Sequence, residues 1–479
     1  MGQNTGREGP RPVVTPLGPR LASRASAERA ARAAPLEKPG AAHAAFPATQ
    51  TVRRLVPRRE TRARDDVLVI ILTCRDGTPL EALTRSHCLS TLPFAGHYRN
   101  IDFALSNCLN SGIHRVGVVT QFKAHSLMQR VRKDWSRLWP EESDSIELWP
   151  AQRCRNEDCY RGTADAAYQN IHIIREHAPT QVLLLAGDHL CRMNYAQMID
   201  EHRRRDADVT LGYMELPVSE AGQWGMLSVD AERWVRTLVD KPLAAANACD
   251  GAERAVVSLG AYVFDTNTLI DLLRKDAIDS RSWHDMGQDI LPAALGAGFR
   301  VLGHPLRDAA TGAAACCRNV ASVDGYWHAN MEQLAERPYL DLRDPAWPIW
   351  TRQTQLPPAR FRGRGTARES IVCGGCVVAG EARRSVLSVG CEIGARTVIE
   401  DSVILPHVRI GRGCRIRRAI VDAESVIPDA TVIDAESALT APGYISPGGI
   451  MLFTSAAATE PGGPPSPAHP GGGRSADPT

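Results

Sequence analysis

The fold is decided by the stretch LSVGCEIGARTVIEDSVILPHVRIGRGCRIRRAIVDAESVIPDATVI, which runs from Leu387 to Ile433. Single aliphatic residues recur in it about every sixth position, three to a repeat. Each of the three positions recurs after 17 residues, as from Leu387 to Ile404 and then to Val421. A three-sided parallel β-helix gives this spacing because each face contributes one inward aliphatic side chain per coil, whereas a helix period of 3.6 residues does not. The aliphatic positions are Leu387, Ile393, Ile399, Ile404, Ile410, Ile416, Val421, Ile427 and Val432–Ile433.

Upstream of this stretch, from Asp66 to about Trp327, short aliphatic runs alternate with helical patterns. Such runs are typical of strands buried on both faces, and their alternation with helices predicts a doubly wound, mostly parallel α/β sheet. Ligands of such sheets bind beyond the carboxyl ends of the strands. The predicted strands are Val67–Leu72, Arg115–Thr120, Gln181–Leu185, Ala207–Met214 and Gly260–Phe264, and the predicted helices include Asp102–Gly112 and Thr163–His177.

These patterns divide the chain into five segments. Residues 1–65 form a basic tail rich in Ala, Arg and Pro, and residues 455–479 form a tail rich in Gly, Pro and Ser. Neither tail carries enough apolar residues to offset the entropy of ordering, so we expect both to be disordered. Between them we expect an α/β domain at 66–335, a linker at 336–368 and a β-helix domain at 369–454.

Charge and composition argue against several classes of protein. A net charge of +2 and a pI near 8.0 give no whole-molecule attraction to nucleic acid or to a membrane, and no run of about 18 apolar residues is present. The 13 cysteines are an odd number in apolar contexts, which fits reduced thiols in a cytoplasm better than a disulfide framework. Cys373 and Cys376 form a C-x-x-C motif without a second ligand pair nearby, which favours a tight turn over a zinc site.

Eight short strings resemble, in order and spacing, the bacterial ADP-glucose pyrophosphorylase (glucose-1-phosphate adenylyltransferase) family. Any one of them would be weak, but eight in sequence make chance agreement negligible. The resemblance runs from about Asp66 to Thr454, and it implies a Rossmann-like nucleotidyltransferase domain followed by a left-handed parallel β-helix. The strings are RNIDFALSNCLNSGI (Arg99–Ile113), PAQ (Pro150–Gln152), YRGTADAAYQN (Tyr160–Asn170), LLLAGDH (Leu183–His189), DKP (Asp240–Pro242), SLGAYVF (Ser258–Phe264), WHDMGQDILP (Trp283–Pro292) and GYWHAN (Gly325–Asn330).

The resemblance also implies a reaction and a set of site residues. Enzymes of this family join glucose 1-phosphate to the α-phosphate of ATP and release pyrophosphate. Because the sugar phosphate is itself the nucleophile, the protein must place two anions side by side and neutralise them with Mg²⁺ and cationic side chains. The implied sugar-phosphate residues are Lys241, Asp240 (where the family has Glu), Ser258, Tyr262 and Asp285; the implied nucleotide residues are Gln152, Tyr160, Gly162, Thr163 and Gly77; and the implied metal residues are Asp188, which is also the catalytic carboxylate, and Asn319.

Several phosphate-handling residues of the family are replaced in this chain. The family's opening loop, LAGGxGTRL, reads LTCRDGTPL from Leu72 to Leu80, so side chains stand where two glycines should let backbone N–H groups meet the triphosphate. Pro79 takes the position of the catalytic arginine and removes both a charge and a backbone donor. The other replacements are Leu89-Ser90 for a Lys-Pro pair, Asn319 for the second metal carboxylate, Met286 for Phe, Cys317 for Trp, and Ser86 and His87 for basic residues.

These departures predict a glycogen-pathway protein of this family that is weakly active or inactive and acts as a modulatory or sugar-phosphate-sensing subunit. We expect glucose 1-phosphate or a related sugar phosphate as ligand, Mg²⁺ if the chain is active, and a tetramer formed with itself or with an active paralogue. The damaged loop argues against tight ATP binding. Two alternatives stay open: a working adenylyltransferase with substitute residues, and a hexapeptide acyltransferase, for which His407 is the only histidine in the coils.

Overall fold

The structure of the chain is a computed structural model. It describes residues 65–73, 80–84, 88–121, 124–135, 146–151, 160–222, 224–239, 253–309, 311–315, 317–436 and 443–454. Both predicted tails, 1–65 and 455–479, lie outside these ranges except for Asp65, so their disorder stays a prediction. The loop Cys74–Pro79 and the pair Ser86 and His87 lie outside the described residues as well.

Short aliphatic strands build the α/β region, as the sequence predicts. Val67–Leu72 has the predicted bounds, and the strands predicted at Arg115–Thr120 and Gln181–Leu185 each differ from the observed strand by one residue. In chain order the strands are β1 (Val67–Leu72), β2 (Pro93–Phe94), β3 (Tyr98–Arg99), β4 (Val116–Thr120), β5 (Ile146–Pro150), β6 (Gln181–Ala186), β7 (His189–Leu190), β8 (Val209–Pro217), β9 (Met226–Val229), β10 (Val235–Val239), β11 (Arg254–Asp265), β12 (Val301–Pro305) and β13 (Arg318–Asn319).

Helices cover the sheet on both faces. Alternate residues of β1 therefore enter two different cores, Val69 and Ile71 one of them and Leu68 and Ile70 the other. Among the residues that the structure describes, none of the helices combines the length and apolar character that a membrane crossing requires. The helices are α1 (Glu81–Thr84), α2 (Asn100–Asn110), α3 (Ala124–Arg130), α4 (Thr163–Gln169), α5 (Ile171–His177), α6 (Tyr195–Arg205), α7 (Val218–Ala221), α8 (Thr266–Ala277), α9 (Leu291–Gly296) and α10 (Val323–Glu332), with 3-10 or π-helical turns at Leu89–Thr91, Val131–Trp135 and Met286–Ile290.

The main sheet is mixed around a parallel centre. Its order is β10-β9-β11-β6-β1-β4-β5, with β8 beside β11 and β12 beside β8. Strands β6, β1, β4 and β5 are parallel, whereas β11 runs antiparallel to β6 and to β8. The predicted fold class is confirmed. The sequence pattern did not reveal that β11 runs antiparallel to its neighbours.

The helix predicted at Thr163–His177 is two helices in the structure. The break lies at Asn170, whose Nδ2 donates to the Ala166 carbonyl oxygen at 2.8 Å and to the Tyr160 hydroxyl at 3.2 Å. Asparagine side chains compete with the backbone for hydrogen bonds, and the competition ends α4 here. The first helix thus begins at Thr163, one of the predicted site residues.

The repeat downstream forms the predicted left-handed parallel β-helix. Leu387 pairs with Ile404 and Ile404 with Val421, which confirms the 17-residue coil. The preceding coil is shorter, since Val372 pairs with Leu387 after 15 residues. Its strands are β14 (Arg360–Phe361), β15 (Thr366–Arg368), β16 (Ile371–Val372), β17 (Val377–Val378), β18 (Glu381–Arg383), β19 (Val386–Leu387), β20 (Glu392–Ile393), β21 (Val398–Glu400), β22 (Val403–Ile404), β23 (Arg409–Ile410), β24 (Arg415–Arg417), β25 (Ala419–Val421), β26 (Val426–Ile427), β27 (Val432–Ile433), β28 (Tyr444–Ile445) and β29 (Met451–Phe453).

Both ends of the β-helix extend beyond the regular repeat. At the start, β14 and β15 pair with β17 and β18, although the sequence places their residues in the linker at 336–368. At the end, Ile433 is buried while Val432 is exposed, and the strand that stacks on β25 is the distant β29. A strand from near the end of the described chain therefore completes this face of the β-helix, and the 17-residue spacing does not predict it.

An apolar layer joins the α/β domain to the β-helix. Tyr326 and Trp327 of α10 lie in one hydrophobic cluster with Val403 and Ile420 of the coils. The Trp327 indole Nε1 donates to the Asp401 carbonyl oxygen at 2.9 Å, so the buried ring keeps its hydrogen bond. This packing fixes α10, and with it the neighbouring β13, against the β-helix.

The C-x-x-C motif forms the predicted tight turn. Gly374 and Gly375 make the turn between β16 and β17. The Cys376 thiol donates to the Ser388 carbonyl oxygen at 3.0 Å inside the β-helix core. Burial raises the pKa of the Cys373 thiol to about 12. Cys376 therefore contributes to the packing of the first coils.

Candidate active site

A cavity opens at the carboxyl ends of β1 and β6, the edge where parallel sheets bind ligands. Two of its lining residues mark these strand ends: Thr73 directly follows β1, and Ala186 is the last residue of β6. Much of the remaining wall is apolar, with Trp224, Leu238 and Met286 among its members. Six predicted site residues lie on the wall: Thr163, Asp188, Ser258, Tyr262, Asp285 and Asn319.

An irregularity in β11 aims two of these residues into the cavity. The pairing of β11 with β8 shifts between Ser258 and Tyr262, and Gly260 between them has φ +64°, which favours glycine. The Ser258 and Tyr262 hydroxyl oxygens lie 3.4 Å apart, and the Ser258 N–H donates to the Gly225 carbonyl oxygen at 2.7 Å. The bulge thus presents two hydroxyl groups, spaced for contact with a polyhydroxyl ligand.

Of the two predicted metal residues, Asp188 lies in the turn between β6 and β7, and Asn319 lies on β13, which pairs with β7. Asp188 follows β6 and is buried, with 5% of its surface exposed. Its neighbour His189 pairs with Asn319 in the two-stranded sheet of β7 and β13. His189 Nδ1 lies 2.6 Å from the Leu259 carbonyl oxygen and its Nε2 lies 3.8 Å from Asp188 Oδ1, so the imidazole separates the carboxylate from β11. The Asn319 Oδ1 accepts the Ala321 N–H at 2.9 Å.

A hydrogen-bond network ties the start of α4 to the sugar side of the cavity. The Thr163 hydroxyl donates to Asp285 Oδ2 at 2.9 Å and accepts the Met286 N–H at 2.8 Å. Asp285 Oδ1 accepts the N–H groups of Gly287 and Gln288, which caps the turn that follows. Thr163 and Asp285, predicted for the two different halves of the site, therefore share one network.

The other predicted residues are placed as follows. Tyr160 and Gly162 are described but lie beside the cavity, Tyr160 in the adjoining core and Gly162 against the backbone of residues 283–284. Four predicted residues lie outside the described residues, and their roles stay predictions: Gly77, Gln152, Asp240 and Lys241.

Several of the family's replaced positions that the structure describes line this cavity. Leu89 and Ser90, in place of a Lys-Pro pair, are both buried on its wall, as is Met286 in place of Phe. Cys317, in place of Trp, is buried in the core instead, where its N–H contacts the Met214 sulfur at 3.3 Å. The wall therefore carries a leucine where the family pattern has a lysine.

The residues present give Mg²⁺ an incomplete protein site. Asp188 offers a carboxylate, which hard cations prefer, but Asn319 offers a neutral oxygen that already accepts a hydrogen bond. Within the described ranges, no three His, Cys, Asp or Glu side chains come together in a metal-binding cluster. Since Mg²⁺ is commonly held by one or two carboxylates together with substrate phosphates, this set would fit the ion only alongside a bound nucleotide.

Comparisons with known proteins agree with this architecture. A nucleotidyl transferase family model matches residues 68–336, and a GlmU-like C-terminal hexapeptide model matches residues 357–453. The chain is 43% identical over 407 residues to "glucose-1-phosphate adenylyltransferase 2" of Alkalilimnicola ehrlichii, covering 83% of this chain and 96% of that protein. The chain belongs to the glucose-1-phosphate adenylyltransferase family. The corresponding enzymes of Methylococcus capsulatus and Thiobacillus denitrificans are 42% and 41% identical to it, over 82% and 83% of this chain and 94% and 92% of theirs.

Membership of the glucose-1-phosphate adenylyltransferase family explains why the polar wall residues were found from the sequence and others were not. Ser258, Asp285 and Asp188 lie inside family strings. Trp224 and Leu238 also line the cavity, yet an isolated apolar residue carries no chemical signal in a sequence. The signal that was available was their position beside or within short strands: Trp224 lies just before β9, and Leu238 lies near the end of β10.

Proposed function

We propose that this chain is a sugar-phosphate-binding member of the family that makes ADP-glucose weakly or not at all and modulates an active paralogue. The observation that supports it most is that the described part of the cavity wall keeps polar groups for a sugar but lacks a lysine or arginine for the phosphates. The hydroxyl groups of Ser258 and Tyr262 and the carboxylate of Asp285 line one side, whereas the buried Leu89 and the amide of Asn319 stand where the family has a lysine and a carboxylate.

The chemistry of the family reaction explains why these replacements should weaken catalysis. An oxygen of glucose 1-phosphate attacks the α-phosphorus of ATP, and pyrophosphate leaves with the electron pair of the broken P–O bond. Mg²⁺, when bound, spreads the negative charge of the phosphates. Asp188 would orient that ion, but Leu89 supplies no charge and Asn319 no second carboxylate, so this chain stabilises the transition state poorly.

Sugar recognition needs fewer charges and more directed hydrogen bonds. Ser258, Tyr262 and Asp285 supply two hydroxyl groups and a carboxylate on an otherwise apolar wall, which suits the hydroxyls and the apolar faces of a hexose. A sugar phosphate is thus the proposed ligand, in a glycogen-synthesis setting in the cytoplasm.

Two alternatives have weaker support. A working adenylyltransferase would have to find substitute cations among residues outside the described ranges. A hexapeptide acyltransferase would need a histidine poised between coils, but His407 is exposed at a corner with φ +60°, where it packs over Gly390. That position is typical of a corner residue.

Ligand preference is the first test of the proposal. Calorimetric titration of the purified chain is expected to give a glucose 1-phosphate Kd at least about tenfold below that of ATP with Mg²⁺, since most cations for a triphosphate are replaced. Ser258→Ala is expected to weaken glucose 1-phosphate about fivefold, the value of one hydrogen bond of about 1 kcal/mol. Ser228→Ala, which alters an exposed serine of β9, is the matched control. Tighter binding of ATP than of glucose 1-phosphate would contradict the proposal.

Assembly with an active paralogue is the second test. Phe361, Val426, Val432 and Ile445 of the β-helix domain are exposed, and apolar groups exposed on flat coils favour coverage by another chain. Co-expression with an active family member of the same genome is expected to give a mixed tetramer. Val426→Asp should reduce co-purification, whereas Thr366→Asp, at an exposed polar position, should not. If the tagged chains do not co-purify and the partner's activity is unchanged, the modulatory role is wrong.

A further inference from the structure

His284 occupies an unusual backbone position next to the sugar side of the cavity. It is buried, with 3% of its surface exposed, and has φ +56°, a conformation that is uncommon for a residue with a side chain. Its Nδ1 lies 2.8 Å from Asp276 Oδ2 at the end of α8, and its N–H donates to the Ser282 hydroxyl at 2.8 Å. Ser282 in turn donates to the other oxygen of Asp276 at 2.5 Å. The side chain thus secures a left-handed turn against α8.

The backbone carbonyl of His284 faces the nucleotide side of the site. Its oxygen accepts the Ala164 N–H at 2.7 Å and lies 3.3 Å from the Asp165 nitrogen, so it caps the start of α4 from outside the helix. A Cβ on Gly162 would lie 2.4 Å from this oxygen, which requires glycine at that position. The left-handed turn of His284 is what directs the carbonyl toward α4.

The next residue, Asp285, faces the cavity. Its carboxylate accepts the Thr163 hydroxyl at 2.9 Å, and Thr163 is the first residue of the helix that His284 caps. Residues 284 and 285 therefore bind the same helix start twice, once through a carbonyl and once through a carboxylate. Any change in the turn at His284 would move Thr163 and Asp285 relative to one another.

We infer that His284 is a positioning residue that holds the start of α4 and the sugar-contacting Asp285 in register. This inference rests on the proposed binding of a sugar phosphate in the cavity. His284 is not among the described residues that line the cavity. It acts by fixing Asp285 and Thr163, so its loss should appear in ligand affinity beyond its effect on folding.

Two substitutions test the inference by calorimetric titration with glucose 1-phosphate. His284→Ala removes the hydrogen bond to Asp276 and disfavours positive φ, and is expected to raise the Kd about tenfold. His284→Asn is expected to stay within about threefold of the unmodified chain, because asparagine tolerates the left-handed region and its amide can reach Asp276. If His284→Ala does not fold, Asp276→Asn, which weakens the same hydrogen bond, replaces it and is expected to act in the same direction.

His304→Ala is the matched control. His304 is also largely buried against a carboxylate, with its Nδ1 2.6 Å from Glu201 Oε2, and this hydrogen bond together with the Arg233 guanidinium lowers the pKa of Glu201 to about 2. It lies away from the cavity wall, so the variant should lose thermal stability and keep the glucose 1-phosphate Kd. An unchanged Kd in His284→Ala, or an equal loss of affinity in His304→Ala, would overturn the inference.

Amide hydrogen exchange separates this inference from the proposed function. His284→Ala is expected to speed exchange in residues 163–166 and 285–288, where the affected N–H groups lie, and His304→Ala is not. If the unmodified chain binds no glucose 1-phosphate, the proposed function fails, and the exchange result alone decides the positioning role. Unchanged exchange in both segments would then refute it.

Discussion

Purified alone, the chain is expected to form ADP-glucose at least about 1000-fold more slowly than the usual turnover of roughly 1–10³ s⁻¹. Pro79, Leu89 and Asn319 each replace a group that the family uses on the phosphates or on Mg²⁺. Loss of one such group typically slows a reaction about 10²–10³-fold, and non-additivity softens the combined loss without reversing it. Turnover within the usual range would refute the prediction and favour the working-enzyme alternative.

Restoring these groups should recover activity. The variant with Pro79→Arg, Leu89→Lys and Asn319→Asp is expected to form ADP-glucose at least about 100-fold faster than the unmodified chain. Leu89 is buried in the cluster that joins the two domains, so its replacement should cost about 2 kcal/mol of stability, which thermal unfolding would measure.

Removal of the remaining metal carboxylate controls this experiment. Asp188→Asn in the restored chain should abolish the regained activity, because Asp188 would then be one of two carboxylates that orient the ion. Activity that survives Asp188→Asn would come from a contaminating enzyme or from another site. If the triple variant stays inactive, the defect lies in the loop, where Cys74 and Arg75 replace two glycines.

The β-helix was the part of the fold most open to prediction. Each inward position, such as Leu387 or Ile399, is buried in a stack whose neighbours repeat at fixed spacing, so the period alone reveals the geometry. The returning strand β29 was missed because nothing repeats it. Its residues Met451–Phe453 read as an ordinary apolar run, and only the structure pairs them with β25.

In the α/β domain, prediction stopped where long-range contacts decide the structure. The aliphatic residues of β11 indicate a strand but not its direction, since parallel and antiparallel central strands have similar composition. Thr163 and Asp285 were each identified from family strings, yet their mutual hydrogen bond joins residues that are 122 positions apart. The capping carbonyl of His284 could not be predicted from the sequence either, because every residue has a carbonyl group. Only the left-handed backbone conformation of His284 directs this carbonyl to α4.

Lys241→Ala is expected to raise the Kd for glucose 1-phosphate about 100-fold, to the limit of detection. The described part of the cavity wall contains Asp188 and Asp285 but no lysine or arginine, so a phosphate there needs a cation from outside the described residues. The family pattern places that cation at Lys241. A hydrogen bond to a charged group contributes about 1.5–3 kcal/mol, which corresponds to roughly 10–100-fold in affinity, and an unpaired phosphate beside two carboxylates should fall at the upper end.

The control for this variant is Lys275→Ala, which removes the same charge from an exposed position of α8 and should leave the Kd unchanged. Lys241→Arg tests geometry against charge: the guanidinium keeps the positive charge but distributes it over a plane, so affinity should fall by less than in the alanine variant. Glucose, which lacks the phosphate, should bind the unmodified chain and Lys241→Ala equally weakly. If Lys241→Ala binds glucose 1-phosphate within about twofold of the unmodified chain, the phosphate does not contact Lys241. The sugar side of the cavity would then have to bind its ligand through Ser258, Tyr262 and Asp285 alone, and the proposed preference for phosphorylated sugars would lose its electrostatic basis.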